Sequence, residues 1–398
     1  MTEMKVIHTS DWHLGHQLYN WDRADEHQLF FDELLKVIES ENPDALVVSG
    51  DVYHTIAPST STQKLYIDNM LRIHAAAPDM TIVITAGNHD SSAKLEVDKS
   101  IWKHFNLHVI GSVARKGDLE KHIIPVGNPA KGYILAVPHC YPQNFPDTGE
   151  DLPREKRPAA FYKALIEQVE SINSSSLPVI MTAHTTVIGS DPRKQDIIVG
   201  GIDSIDIREL GEGFDYLALG HIHFPQTIAP GCRYSGSPIP VSFNEDYAHS
   251  VTIVELEEHG SNPALRTWKM PTLRPVITIP EKEPIEFEEA LRLLEEFPDD
   301  KEAYIRLNVK VKQYGGADWA AKAASATETK KCRYCCIQLQ SIREDESDQV
   351  FKQFSQEEMK ALNPIEIAKL YWKQTNGCDM DAELQDKILS VICEKDEE

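Results

Sequence analysis

The stretch KVIHTSDWHLG (residues 5–15) decides how the rest of the chain reads. KVIHT predicts a short apolar strand, and a polar cluster holding Asp11 and His13 follows it at once. The same order recurs along the chain. DALVVS (44–49) runs into GDVYH with Asp51, and TIVIT (81–85) runs into AGNHD with Asn88, His89 and Asp90. Further on, VIM precedes TAHTT with His184, and YLAL precedes GHIH with His221 and His223. Residues 25–39 and 61–76, between the first three strands, carry apolar residues at helical spacing. Strand–helix–strand repetition implies crossovers and parallel pairing, and ligands of such sheets gather beyond the carboxyl ends of the strands. Five polar clusters at strand ends are therefore expected to converge. Gly50, Gly87 and Gly220 stand beside them, where tight turns are needed.

The residue types say what such a site takes. Carboxylate, imidazole and amide oxygen together suit borderline to hard divalent cations such as Mn²⁺, Fe²⁺ or Zn²⁺, whereas a structural zinc site would show thiolates. Asp11, His13, Asp51, Asn88, His184, His221 and His223 are too many for one four-coordinate ion. They suit two ions roughly 3.5–4 Å apart sharing a carboxylate, a pair that acidifies a water and clamps the oxygens of an in-line displacement at phosphorus. Each motif alone is weak, because a lone histidine among 16 is more often structural. The weight lies in all five together, each after an apolar strand.

Composition bounds the class. The 398 residues include 63 acids and 40 bases, a net charge of −23, which excludes a general nucleic-acid coat. A hydrophobic share of 41% with 26% charged residues is ordinary globular usage. No apolar run approaches the roughly 18 residues of a membrane span, and no signal peptide precedes the first strand, so a soluble, cytoplasmic protein is expected. Seven cysteines, an odd number in a long chain, argue against a disulfide scaffold. Cys332, Cys335 and Cys336 lack the second pair a zinc site would want, and read as small core residues on a strand.

The texture changes near PTLRPVITIPEKEP (271–284). Beyond it a β-α-β-α-β unit is expected, with strands at 276–279, 304–311 and 332–341 and helices at 287–296 and 318–327. A charged connector then leads to two short amphipathic helices, 364–373 and 381–393. Their apolar faces suit packing on the main body or docking onto a partner.

HTSDWHLG, SGDVYHT, ITAGNHDS, ALGHIH and YSGSPIPVSFNE are similar to the calcineurin-like metallophosphoesterase superfamily. Within it they resemble the SbcD nuclease subunits, bacterial counterparts of the Mre-type double-strand-break repair nucleases. The resemblance is strong over residues 4–270 and looser beyond. It implies an α/β fold: a calcineurin-like β-sandwich flanked by helices (1–272), a small α+β capping domain (273–345), and a linker with a C-terminal helix pair that docks an ATPase (346–398). It implies one ion on Asp11, His13, Asp51 and His223, and another on Asp51, Asn88, His184 and His221, with Mn²⁺ preferred. His89 would face the substrate and Asp90 would orient it. The implied activities are 3′–5′ exonuclease on double-stranded DNA and endonuclease on single-stranded or hairpin DNA. The implied partner is an SbcC-type coiled-coil ATPase, bound to a homodimer within a heterotetramer at the nucleoid. A small-phosphodiester enzyme of the same superfamily and a metal-free assembly subunit are the alternatives. His54 stays open between surface and substrate contact, and the turn 235–238 between turn chemistry and phosphate positioning. Such an acidic chain would rely on local basic spots such as Arg193-Lys194 to hold DNA.

Overall fold

The computed structural model describes residues 3–114, 118–146, 152–192, 204–311 and 316–341, and beyond these only positions 369, 372, 380, 384 and 385. Apart from those isolated positions, the helix pair expected at 364–393 lies outside the described residues, as do its connector and Arg193-Lys194.

Two six-stranded sheets form the larger part. One runs edge to edge through Ala264–Lys269, Ser250–Leu256, Met4–Thr9, Ala45–Ser49, Thr81–Thr85 and Leu107–Ile110. Its last four strands pair in parallel and its first two antiparallel. The other runs through Gln226–Ala229, Cys232–Tyr234, Tyr216–Gly220, Val179–His184, Gly132–Ala136 and Ile123–Val126, parallel at its centre and antiparallel at both edges.

The sheets pack face to face. Val6, Ala45, Val47 and Val83 of the first meet Ile134, Ala136, Ile180 and Ala218 of the second. Helices cover both outer faces. Ala24–Glu41 and Thr60–Ala76 bury Phe30, Phe31, Leu34, Tyr66 and Met70 against the first sheet, and Arg157–Ile172 buries Phe161, Leu165 and Val169 against the second. Strands covered on both faces have no solvent side, so Ala45–Ser49 and Thr81–Thr85 are unbroken buried runs rather than alternating ones. Each such side chain contributes about 1.5–3 kcal/mol by burial. Ser59 caps the helix Thr60–Ala76 by accepting the Thr62 N–H at 3.2 Å.

A third sheet of three parallel strands, Val276–Ile279, Tyr304–Val311 and Arg333–Ser341, carries the helices Phe287–Glu295 and Trp319–Thr327. It has its own core of Phe287, Leu294, Ile305, Leu307 and Val309, with Phe287 stacked on Trp319 at 4.4 Å. Cys332, Cys335 and Cys336 are free thiols on or beside its last strand. This unit meets the sandwich through Tyr304, whose hydroxyl donates to Glu26 at 2.8 Å; Glu26 is in turn paired with buried Arg23 at 2.6 Å.

Several elements go beyond the sequence expectation: the helix Arg157–Ile172, the edge strands, and a hairpin of Gln17–Leu18 with Trp21–Asp22. The edge strands are short and lack a sustained period. The hairpin turns through Tyr19 and Asn20, both at positive φ (48° and 72°), without the glycine that marks such turns. Among the described residues no helix is long and apolar enough to cross a membrane.

Candidate metal centre

All the strand-end clusters meet at one end of the sandwich. Asp11 and His13 follow Met4–Thr9, Asp51 follows Ala45–Ser49, and Asn88, His89 and Asp90 follow Thr81–Thr85. His184 closes Val179–His184, and His221 and His223 follow Tyr216–Gly220. Pairing of neighbouring strands within each sheet, and face-to-face packing of the two sheets, bring these ends together.

The backbone is bent hard to aim them. Among the described residues nine non-glycine positions have positive φ, and four of them are Asp11 (53°), His13 (46°), Asp51 (51°) and His221 (99°). Left-handed backbone costs an ordinary residue roughly 1–2 kcal/mol, and strain of this kind collects at functional sites. Hydrogen bonds hold the turns in place: the Asp11 N–H donates to the Gly50 carbonyl and the His13 N–H to the Asp51 carbonyl, both at 3.0 Å. Glycine is required beside them. A Cβ on Gly87 would lie 2.1 Å from Asp51 Oδ1, and one on Gly50, whose φ is 87°, would lie 2.1 Å from His184 Nδ1.

The side-chain atoms converge closely. Asp51 Oδ2 lies 3.7 Å from His13 Nε2 and 3.3 Å from His184 Nε2. His13 Nε2 and His223 Nε2 are 3.1 Å apart. Asn88 Oδ1 is 3.0 Å from both His184 Nε2 and His221 Nδ1. Asp11 with His13 and His223 forms one group able to hold an ion, Asp11 with Asp51 and His184 forms another, and His13 with the half-buried His54 and His89 forms a third. Of the seven predicted ligands all are buried except Asn88, which is half-buried.

Burial and mutual charge set the protonation states. Burial pushes the Asp11 carboxyl up. For Asp51 burial acts the same way, but His184 and the other imidazoles hold it well below the carboxylate range. Burial drives His13 well below the usual imidazole value, and burial with His184 drives His221 down to about 3. His184 and His223 go the other way. Burial alone would lower them, but Asp51 beside His184 and Glu245 beside His223 raise each to about 9. A crowd of facing nitrogens and carboxylate oxygens, part charged and part neutral, is satisfied by divalent cations placed among them, and the donor set fits hard to borderline ions.

Because ligating imidazoles must be neutral, this predicts proton release on metal uptake. Loading the chain with Mn²⁺ at pH 7.5 should release on the order of two protons, from His184 and His223. Their folded values lie above the ordinary 6.5, so in the metal-free chain their stabilising contribution is complete below pH 6.5 and is lost as pH rises through about 9. Metal affinity should rise over the same interval. Calorimetry in buffers of different ionisation heat reads the release; none would mean that these imidazoles are already neutral.

One support of the site, Glu245, is not in the sequence reading. Glu245, 3% exposed, places Oε1 2.9 Å from His223 Nδ1, while its Oε2 accepts the Ser237 hydroxyl at 3.0 Å and the Val241 N–H at 3.1 Å. It turns His223 Nε2 toward the cluster, as carboxylates behind metal-binding histidines do. Glu245→Gln should weaken Mn²⁺ binding by about 10–100-fold with little change in fold, measured by titration calorimetry. The hydroxyl of Ser237 is thus part of this support, and Ser235 donates to the His8 carbonyl at 2.9 Å, so the turn 235–238 braces the site. His54 is half-buried at the rim, stacked on His89 at 5.5 Å and edge-on to His13 at 5.4 Å.

Asp90 does not bond to His89. Its carboxylate accepts the backbone N–H groups of Gly87 (2.9 Å), Val52 (3.1 Å) and Tyr53 (2.8 Å), tying the loop after Thr81–Thr85 to the loop after Ala45–Ser49. Burial and the Asp51 charge push Asp90 up to about 7. The ring of His89 is held instead by the His54 carbonyl, 2.9 Å from Nδ1, and the His89 N–H donates to Asp51 Oδ1 at 2.9 Å.

The chain is similar to known proteins. Residues 4–225 match the calcineurin-like phosphoesterase family. Over 293 residues the chain is 32% identical to the SbcD subunit of the SbcCD nuclease of Rhodobacter capsulatus, covering 70% of this chain and 72% of that protein. Against the SbcD subunit of Escherichia coli K12 it is 30% identical over 293 residues, covering 69% and 70%. Against that of Bacillus subtilis it is 31% identical over 266 residues, covering 63% and 66%. With a family match over more than half its length and the Rhodobacter and Escherichia relatives aligned along more than two thirds of theirs, the chain belongs to the calcineurin-like phosphoesterases, in the group of SbcD nuclease subunits, and is a metal-dependent phosphodiesterase.

Proposed function

We propose that the chain is the DNA-cutting subunit of a complex with an SbcC-type coiled-coil ATPase, acting in DNA repair, recombination and replication at the nucleoid. One observation carries the reading: Asp51 Oδ2 lies between His13 and His184, 3.7 and 3.3 Å away, where one carboxylate can serve two ions. One ion would rest on Asp11, His13, Asp51 and His223, the other on Asp51, Asn88, His184 and His221, with Mn²⁺ the preferred metal. Bound there, the ions supply Lewis-acid polarisation of the phosphoryl oxygens and acidify the attacking water. His89, with Nδ1 at the His54 carbonyl, has Nε2 left to meet the phosphate, where it offsets growing negative charge or delivers a proton. Asp90 positions the loops that carry Asp51 and His89 and touches no substrate.

The substrates we assign are double-stranded ends, degraded 3′–5′, and single strands and hairpins, cut internally. The sandwich (1–272) is the nuclease domain, the three-stranded unit (273–345) caps it, and 346–398 docks the ATPase onto a homodimer within a heterotetramer. Removing residues 363–398 should abolish ATPase binding in a pull-down while leaving metal content unchanged; unchanged binding would locate the docking surface elsewhere.

End-labelled hairpin DNA tests the activity directly. With Mn²⁺ the chain should open the hairpin, EDTA should stop it, and the ATPase partner with ATP should accelerate it. Turnover of a cyclic nucleotide with no cleavage of DNA would favour a small-phosphodiester enzyme instead.

A further inference from the structure

Next to the metal centre, His184 and His221 form the inner wall of a cavity of about 350 Å³. We propose that this cavity is a subsite for one unpaired nucleobase, that of a nucleotide adjoining the phosphate to be cut. The proposal rests on the nuclease reading above.

Position comes first. Two candidate metal ligands line the cavity, so a phosphodiester held at the centre has a neighbouring nucleoside at its mouth. Lining chemistry comes second. Tyr141, 38% exposed, stands edge-on to the His139 ring at 5.0 Å, with Phe145 and Tyr162 buried in the wall behind. An exposed aromatic ring beside a polar wall is a platform on which a base can stack whatever its sequence.

Charge then selects the base over the backbone. Glu155 and Glu209 line the cavity, and no lysine or arginine is among its described lining residues. Such a wall repels phosphate but accepts hydrogen bonds from the exocyclic amines of a base. His139 is held in the wall by its Nδ1–H, which donates to the His184 carbonyl at 3.1 Å. The volume lies near the lower end for small-ligand pockets and has no room for a stacked duplex end. The base must therefore leave its helix, at a frayed end, a hairpin loop or a single strand.

The test uses the full chain loaded with Mn²⁺ and a single-stranded oligonucleotide cut at one position, with the nucleotide on either side of the cut intact or abasic in turn. The wild type should prefer the intact strand over one of the two abasic strands by about tenfold, within the roughly 5- to 150-fold that one base–aromatic stack is worth. Tyr141→Ala should bring that ratio close to one, and Tyr141→Phe, which keeps the ring, should preserve it. Equal cleavage of intact and abasic strands by the wild type, or an unchanged ratio in Tyr141→Ala, overturns the subsite alone. If the wild type cuts none of the strands, the nuclease reading falls and the subsite with it.

Discussion

Asp51→Asn should reduce phosphodiester hydrolysis by on the order of a thousandfold or more, and cut bound Mn²⁺ from two ions per chain to one or none. The substitution is chosen to isolate charge. Asp51 sits at φ 51°, a left-handed conformation that asparagine tolerates nearly as well as aspartate and alanine does not. Asparagine also keeps an oxygen for the His89 N–H that Asp51 Oδ1 now accepts at 2.9 Å. What is lost is the negative charge beside His13 and His184. His184 then loses the main partner that raises it, and Asp90 loses the neighbour that, with burial, raises it. The variant should therefore fold, as circular dichroism and thermal melting would show, yet fail to hold the ion pair. Wild-type turnover by a folded Asp51→Asn chain would remove Asp51 from the bridging position.

The second large effect is expected at His89. His89→Ala should lower kcat by about 10²–10³-fold while KM and the number of bound ions stay close to wild type. The geometry separates the two readouts. The His89 ring lies 4.9 Å from the His13 ring and is anchored by the His54 carbonyl; with His13 and His54 it forms a group of its own at the rim, apart from the two ligand groups built on Asp11. Only its backbone N–H touches Asp51, and alanine keeps that bond. Truncation thus removes an imidazole from the transition state and leaves the ligands in place. A parallel loss of metal would make His89 a ligand; undiminished kcat would take it out of the chemistry.

Much of this arrangement is legible in the sequence because the fold ties chemistry to strand ends. Short unbroken apolar runs such as ALVVS and TIVIT, alternating with helical segments, read as strands buried on both faces, and the polar residues after each then lie beyond the strand's carboxyl end. That is why Asp11, His13, Asp51, Asn88, His184, His221 and His223 could be picked out together, and the structure brings them to one place. What is not legible depends on tertiary aim. Glu245 lies 22 residues from His223, and no local period links them; the contact exists only because the chain returns across the site. His54 is three residues beyond Asp51, and its direction is set by the left-handed turn there, which the residue types alone do not reveal. The role that the resemblance implied for Asp90 does not hold here: neighbouring residues in a turn point apart, and its carboxylate meets three backbone amides rather than the next ring. The short edge strands and the Tyr19-Asn20 hairpin carry too few residues for a periodic signal.

The metal count of the Mn²⁺-loaded chain, read by mass spectrometry under native conditions, bears most directly on the shared-carboxylate centre. Two ions per wild-type chain and fewer in folded Asp51→Asn are expected. A wild-type chain that hydrolyses DNA at full rate with a single ion, or with none, would contradict a centre in which Asp51 serves two.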